Sequence, residues 1–328
     1  MGRRIARFGK QVAGLLASLL LLSAAVFCAA RLAPGDPLAA WYGDRVERMT
    51  PEERTQAEER LGLHDPLPAQ YVRWLSNAVR GEFGISYQYK TPVTEVIRGR
   101  LGGTLLLGGT GFLLVFFLSP LLGLLCARYE GRWPDRIICK LGAVTSCIPE
   151  FWLSLVLILI FSVTLRLLPS GGAYSVGGAG DWGDRLAHLI LPLTVVVVGH
   201  LWYYAYLVRS LLLEETRADY VLLARMKGLS RRRVLLRHCL RGVLPAYLGL
   251  MAISVPHILG GSYVVEAVFS YPGLGTLAYE SARYRDYNLL MVLCMLTGGL
   301  VILCGALARA LGGRLDPRLR EEVNPHGP

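Results

Sequence analysis

Long apolar runs alternate along the chain with short segments rich in arginine and lysine. A run of about 20 apolar residues can cross the hydrocarbon core of a bilayer as an α-helix. Six runs have this character, and they lie at residues 12–30, 104–127, 141–165, 188–213, 244–268 and 288–311. The first run follows several arginines as a secretory signal does, but it is longer than the roughly 7–15 residues of a signal core. The pattern therefore predicts an all-α integral membrane protein with six transmembrane helices.

One long polar stretch, residues 33–103, separates the first two runs and has the signatures of soluble helices. Thr50 followed by Pro51 and Glu53 is a capping box with proline at the first helical position. That helix is expected to end at Gly62, a second to span 68–79, and a third to open at Thr91-Pro92. We interpret the stretch as a small helical domain outside the membrane.

Charge placement sets the expected orientation. The chain is 53% hydrophobic, with a mean hydropathy of +0.42 and a net charge of +11. The basic residues concentrate before the first run, after the second and between the fourth and fifth, which by the positive-inside rule places those segments and both termini in the cytoplasm. No stacking aromatics interleave with the basic segments, which argues against nucleic-acid binding. Seven cysteines form no CxxC pair and none lies in 33–103, so we interpret them as packing residues.

The segment from 214 to 245 is basic, too polar to cross a bilayer and patterned as a helix. Tyr220, Ala224 and Lys227 fall three and four residues apart, on one helix face together with Leu223. Gly228 should end this helix, because glycine readily adopts positive φ. Ser230 is placed to cap a second helix, along which Arg233, Arg237 and Arg241 form a basic row.

This segment resembles the coupling loop of ABC importer permeases of the peptide/nickel branch. The matching residues are Asp219-Tyr220-Val221, Ala224-Arg225, Lys227-Gly228-Leu229, Val234-Leu235, His238, Leu240-Arg241 and Leu244-Pro245. In that family the loop docks into a separate ATP-hydrolysing subunit, which implies a coupling role for Asp219, Tyr220, Ala224, Arg225, Lys227, Gly228 and Leu229. The alternative is a basic helix resting on anionic lipid, worth about 1 kcal/mol per Lys or Arg.

Further motifs extend the resemblance over nearly the whole chain. They are Pro34-Gly35-Asp36-Pro37, Leu61-Gly62-Leu63, Gly81 to Ser86, Ile148 to Leu153, His188 to Pro192, Glu266 to Gly275, Arg285-Asp286-Tyr287 and Asp316-Pro317-Arg318. The implied division is 1–32 (N-terminus and first span), 33–103 (extracytoplasmic helical domain), 104–311 (permease core with its coupling loop at 214–243) and 312–328 (cytoplasmic tail).

The resemblance also implies which protein subunits assemble with this chain. The expected partners are a second homologous permease, two ATP-binding subunits, an extracytoplasmic solute-binding protein and the lipid of the cell membrane. No GxxxxGK[ST] phosphate-binding loop occurs in the sequence, so we expect no cofactor on this chain and no enzymatic activity of its own. ATP and Mg²⁺ would be used by the partner subunits. The transported solute, a peptide or a nickel-type metal complex, stays open.

Three ionisable residues interrupt the predicted spans near mid-depth: Glu150, His200 and His257. A charge there costs at least about 2.5 kcal/mol, so such groups usually face a partner or water. They either join helices by hydrogen bonds or line a translocation path. A more specific form of the second hypothesis adds Cys147, one turn before Glu150. In that form the carboxylate, imidazole and thiol groups are transient ligands of a borderline metal ion.

Two other classes of protein fit the spans. A proton-driven secondary transporter would use the same three residues as a relay, but it predicts inverted repeats with broken helices, and no such symmetry is visible. A membrane-embedded enzyme would need a clustered nucleophile or a motif such as HExxH, which the sequence lacks.

Overall fold

Helices make up nearly all of the regular structure. A computed structural model describes residues 2–32, 37–60, 65–260 and 263–315. The α-helices of these residues are α1 Gly2–Leu32, α2 Pro37–Tyr42, α3 Pro51–Arg60, α4 Leu67–Val79, α5 Val93–Thr104, α6 Thr110–Arg128, α7 Trp133–Ser146, α8 Glu150–Leu157, α9 Trp182–Glu215, α10 Asp219–Met226, α11 Arg231–Val234, α12 Leu240–Gly260, α13 Tyr263–Val268, α14 Leu274–Arg283 and α15 Tyr287–Leu315. Within the described residues no strand occurs, apart from an isolated β-bridge between Ile85 and Pro92. The predicted all-α class is confirmed.

Five helices of the described part are long and apolar enough to cross a membrane, and a sixth span results if one bent pair is counted. The five are Val12–Leu32, Val93–Arg128, Trp182–Glu215, Arg231–Val268 and Tyr287–Ala310, of which the fourth runs across residues outside the described ranges. These positions match five of the six predicted runs, and the bent pair matches the third.

The third predicted span is not one straight helix. Helix α7 and the segment Glu150–Thr164 meet at an angle of 98°. Pro149 lacks a backbone N–H and keeps the preceding residue out of helical geometry, so the chain breaks at this point. Glu150 therefore begins a new helix instead of lying in the middle of one, and the continuous span expected at 141–165 is wrong in this respect.

Two other spans are longer than predicted. Helix α5 continues through π-helical residues 105–109 into α6, so the third helix of the polar stretch is also the start of the second span. Helix α11 likewise continues through π-helical residues 235–239 into α12. The second helix expected after Gly228 therefore forms, but it is continuous with the fifth span, which begins well before the expected residue 244.

The chain divides into two compact units. The first comprises residues 1–102 and 273–302, and its small core joins Val93 and Ile97 to Leu277 and Leu289. The Asp286 carboxylate is fully buried and accepts hydrogen bonds from the Ser86 hydroxyl and the Gln88 backbone N–H.

Local features of the first unit agree with the sequence. Thr50 and Glu53 form the reciprocal capping box, with the Thr50 N–H 2.9 Å from Glu53 Oε2. Tyr71 and Trp74 share a face of α4 and pack on Phe27, with ring centroids 5.4 and 6.0 Å apart. The motif residues 34–36, 61–63 and 316–318, including the expected helix end at Gly62, lie outside the described residues.

The second unit, residues 103–272 and 303–328, has α6 packed along α9. Gly123 permits this contact, since a Cβ there would lie 2.7 Å from Val208. A bidentate ion pair joins the start of α7 to α9. Arg209 Nε and Nη2 lie 2.6 and 2.8 Å from the two carboxylate oxygens of buried Asp135. The division 1–32, 33–103, 104–311 and 312–328 stays a prediction.

Candidate coupling helix and transport cavity

The coupling residues expected from the sequence lie on and just after α10, an eight-residue helix between the fourth and fifth spans. Asp219 stands in its first turn and Arg225 in its last, so each charge complements the helix dipole. The helix ends at Met226, Lys227 occupies its C-cap position, and Gly228 follows with φ of +77°. The predicted glycine stop is confirmed. Ser230 occupies the next cap position, but its side chain makes no capping hydrogen bond, contrary to expectation.

One face of α10 is buried in the chain's own core. Val221 and Ala224 are 0% and 7% exposed, and both belong to the cluster that contains Val234 and Cys239. Ala224, for which the resemblance implies a coupling role, therefore lies inside this chain's own core, where its small side chain is needed for packing.

The opposite face of α10 is apolar and exposed. Leu222 and Met226 are 62% and 73% exposed, and Leu223 beside them is also exposed. These positions fall three and four residues apart and form one patch on a segment too polar to lie in the hydrocarbon core. Exposed apolar patches of this kind mark interaction sites. Sequence reasoning missed Leu222 and Met226, although their i, i+4 spacing was visible.

Tyr220 anchors the helix to the end of α9. Its hydroxyl donates a hydrogen bond to the Glu215 carboxylate. Partial burial and this hydrogen bond both raise the pKa of the Tyr220 phenol above its ordinary value. Gly242 makes room for the same carboxylate, since a Cβ at this position would lie 2.6 Å from Glu215 Oε1. This glycine, which has no evident role in the sequence, thus supports the Tyr220 contact.

Glu150, His200 and His257 line one cavity of about 680 Å³ in the second unit. The other lining residues are Ser146, Gly199, Tyr203, Tyr204, Leu207, Leu250, Ile253 and Ser254. The ring centroids of His200 and His257 are 5.5 Å apart. The structure therefore brings together three residues that lie up to 107 positions apart in the sequence.

The metal hypothesis receives no support at this cavity. Cys147 is exposed, is not among the lining residues and belongs to the turn before α8, so it does not share a helix face with Glu150. Ser154 does share a helix face with Glu150, and its hydroxyl donates a hydrogen bond to the Glu150 backbone carbonyl at 2.7 Å. Among the described residues, the one group of three potential metal ligands lies elsewhere, at Cys126, Asp135 and Cys139.

Membrane-length helices, a helix exposed between two of them and a cavity lined by ionisable side chains define a multi-pass membrane protein with the parts of a permease. Comparisons with known proteins agree. Residues 119–321 match the family described as binding-protein-dependent transport system inner membrane component, and residues 5–108 match its N-terminal family. The chain therefore belongs to this family, the permease subunits of ABC importers, in its peptide/nickel branch.

Individual relatives cover almost the whole chain. The oligopeptide transport system permease protein AppB of Bacillus subtilis is 35% identical over 302 residues, which are 92% of this chain and 95% of AppB. The glutathione transport system permease protein GsiC of Escherichia coli K12 is 32% identical over 311 residues, 95% of this chain and 97% of GsiC. Both relatives are named for peptides, and neither is named for nickel.

The fold also resembles a solved structure. The MetNI methionine ABC transporter in an inward-facing conformation matches with a TM-score of 0.54 at 17% identity, over 68% of this chain and 97% of that one. At this identity the likeness concerns the fold alone.

Proposed function

We propose that this chain forms part of the translocation path of an ATP-driven importer of peptides and transmits the work of separate ATP-binding subunits through α10. The observation that carries the proposal is the two-faced character of α10. One face is fixed in the permease core, while the other offers Leu222, Leu223 and Met226 outside it.

A helix that transmits force must be fixed to the part that moves. Val221 and Ala224 pack in the core cluster, and Tyr220 is hydrogen-bonded to the end of α9. Displacement of α10 by a partner would therefore displace α9, one of the cavity-lining helices. ATP binding and the loaded binding protein would bias such a two-state element together.

The partners follow from the family. We infer two ATP-binding subunits that use ATP and Mg²⁺, a second homologous permease and an extracytoplasmic solute-binding protein, with both termini of this chain in the cytoplasm of the cell. The named relatives support peptides as the substrate. The translocation path would include Glu150, His200 and His257, because they share the cavity in the second unit.

The test is ATP hydrolysis by the assembled transporter, stimulated by its loaded binding protein. Leu222→Asp combined with Met226→Asp should remove most of the stimulation while the abundance of the complex in the membrane changes little, because both side chains are exposed in the isolated chain. Val79→Asp, at an apolar residue of α4 that is even more exposed, is the control and should keep full stimulation. Normal stimulation in the double variant would contradict a docking role for this face.

A further inference from the structure

The cavity of the second unit has an uneven distribution of charge. Glu150 is the one carboxylate among its lining residues, and no lysine or arginine is among them. The remaining polar groups are two imidazoles and the hydroxyls of two tyrosines and two serines. With the carboxylate ionised and the imidazoles neutral, the formal charge of this surface is therefore negative.

The Glu150 carboxylate has space but no partner. In the part of the chain that the structure describes, no hydrogen bond or ion pair engages its oxygens, whereas its backbone carbonyl accepts from Ser154. Gly199 leaves room for the carboxylate, since a Cβ there would lie 2.9 Å from Glu150 Oε1. A carboxylate in a membrane interior is costly unless a cation or several donors accompany it.

His200 extends the site with a hydrogen-bond acceptor. Its Nδ1 lies 2.9 Å from the carbonyl oxygen of Val196, which can only accept, so Nδ1 carries the proton. In a neutral imidazole the other nitrogen, Nε2, is then an acceptor. The site thus combines a carboxylate with a neutral acceptor, while a primary ammonium group offers three donors and no acceptor.

We propose that this cavity binds the primary ammonium group of a transported peptide, with Glu150 as counter-ion and His200 Nε2 as a neutral acceptor. This inference rests on the proposed function and adds to it the chemical group that the path recognises. Glycine at 199 is part of the site because it allows the carboxylate to remain at the cavity wall.

The experiment is equilibrium binding of two radiolabelled probes, trialanine and N-acetyl-trialanine, to the purified transporter without its binding protein. The probes differ in the ammonium group. Wild-type transporter should bind trialanine about tenfold or more tightly than the acetylated probe, as expected for a hydrogen bond between charged groups. Glu150→Gln should abolish this preference by weakening trialanine alone, and Glu150→Asp should restore part of it.

Glu95→Gln is the matched control, because it removes an exposed carboxylate from α5 and should keep the full preference. A third probe, N-acetyl-Ala-Ala-Lys, carries the ammonium group on a side chain. Tight binding of this probe would show that the site accepts any primary ammonium, and weak binding would restrict it to the peptide N-terminus; both results retain the proposal.

The proposal is overturned if wild-type transporter binds trialanine and its acetylated form equally, if it binds neither, or if Glu150→Gln weakens both to the same extent. Uptake of trialanine into proteoliposomes with the binding protein separates this result from the proposed function. Uptake without a Glu150-dependent preference removes the ammonium site alone. A Glu150-dependent preference without uptake removes the peptide-import function and leaves the ammonium site.

Discussion

The local geometry requires glycine at two positions, Gly199 beside the cavity and Gly228 after α10. Gly199 lies directly beside the Glu150 carboxylate in the wall of the cavity. Gly199→Ala should displace the carboxylate, because the added carbon would lie 2.9 Å from Oε1. We expect reduced peptide uptake at nearly normal abundance in the membrane.

The control for this prediction is Gly249→Ala in α12, where a Cβ would meet no atom within 4 Å. It should leave uptake unchanged. In a Glu150→Gln background, Gly199→Ala should add little, since residues that act through one contact are not additive. An equal loss in both backgrounds would mean that Gly199 acts independently of Glu150.

Gly228 ends the coupling helix with φ of +77°, and a Cβ there would meet no atom within 4 Å. The cost of Gly228→Val is therefore a backbone cost, about 1–2 kcal/mol or more for a β-branched residue in this region. We predict that Gly228→Val weakens the stimulation of ATP hydrolysis by the binding protein while the chain still inserts in the membrane. Stimulation at the wild-type level would show that the turn tolerates another geometry.

At the scale of helices, the ion pair between Asp135 and Arg209 fastens the start of α7 to α9. The Asp135 carboxylate is buried, and it also accepts the Gly131 N–H at 2.9 Å. Asp135→Asn leaves the largely buried guanidinium without its counter-ion, which typically costs about 3–5 kcal/mol. We expect a lower thermal midpoint of the purified protein and lower abundance.

An exposed pair serves for comparison. Glu130 and Arg231 lie 3.9 Å apart with both side chains exposed, and such pairs contribute about 0–1 kcal/mol. Glu130→Gln should therefore hardly change the thermal midpoint. Equal effects of Asp135→Asn and Glu130→Gln would show that the buried pair does not fasten the two helices.

Helix type and approximate position followed from the sequence, because membrane-length apolar runs and the positive φ of a glycine are local signals. The break between α7 and α8 was also encoded locally, at Pro149, but hydropathy averages over such a break. The two faces of α10 were harder to assign. Tyr220, Leu223 and Ala224 share a helical stripe in projection, and only the position of the core shows that Ala224 is inside and Met226 outside.

The cavity required tertiary structure. Glu150, His200 and His257 stood out as polar groups in apolar spans, yet nothing in their spacing shows that they meet. Their meeting depends on the packing of α8, α9 and α12. Cys147 was placed on the helix face of Glu150 for a related reason, since that placement assumed an unbroken helix through both residues.

For the whole molecule, we predict on which side of the membrane each polar segment lies. The positive-inside rule places residues 33–103 outside and α10 with its following turn inside. A cysteine introduced at Glu58 should react with an impermeant thiol reagent added to intact cells, and one introduced at Arg232 should not. The chain has seven native cysteines, so a cysteine-free background is the control. Labelling of both positions from the same side would contradict the proposed orientation.

ATP used by partner subunits is proposed to drive import through this chain. The most direct measurement is uptake of labelled trialanine into proteoliposomes that contain the complete transporter, with the binding protein on one side and ATP on the other. We expect uptake that requires ATP hydrolysis and the binding protein and does not respond to a proton gradient. Uptake driven by a proton gradient without ATP would contradict it and would favour a secondary transporter.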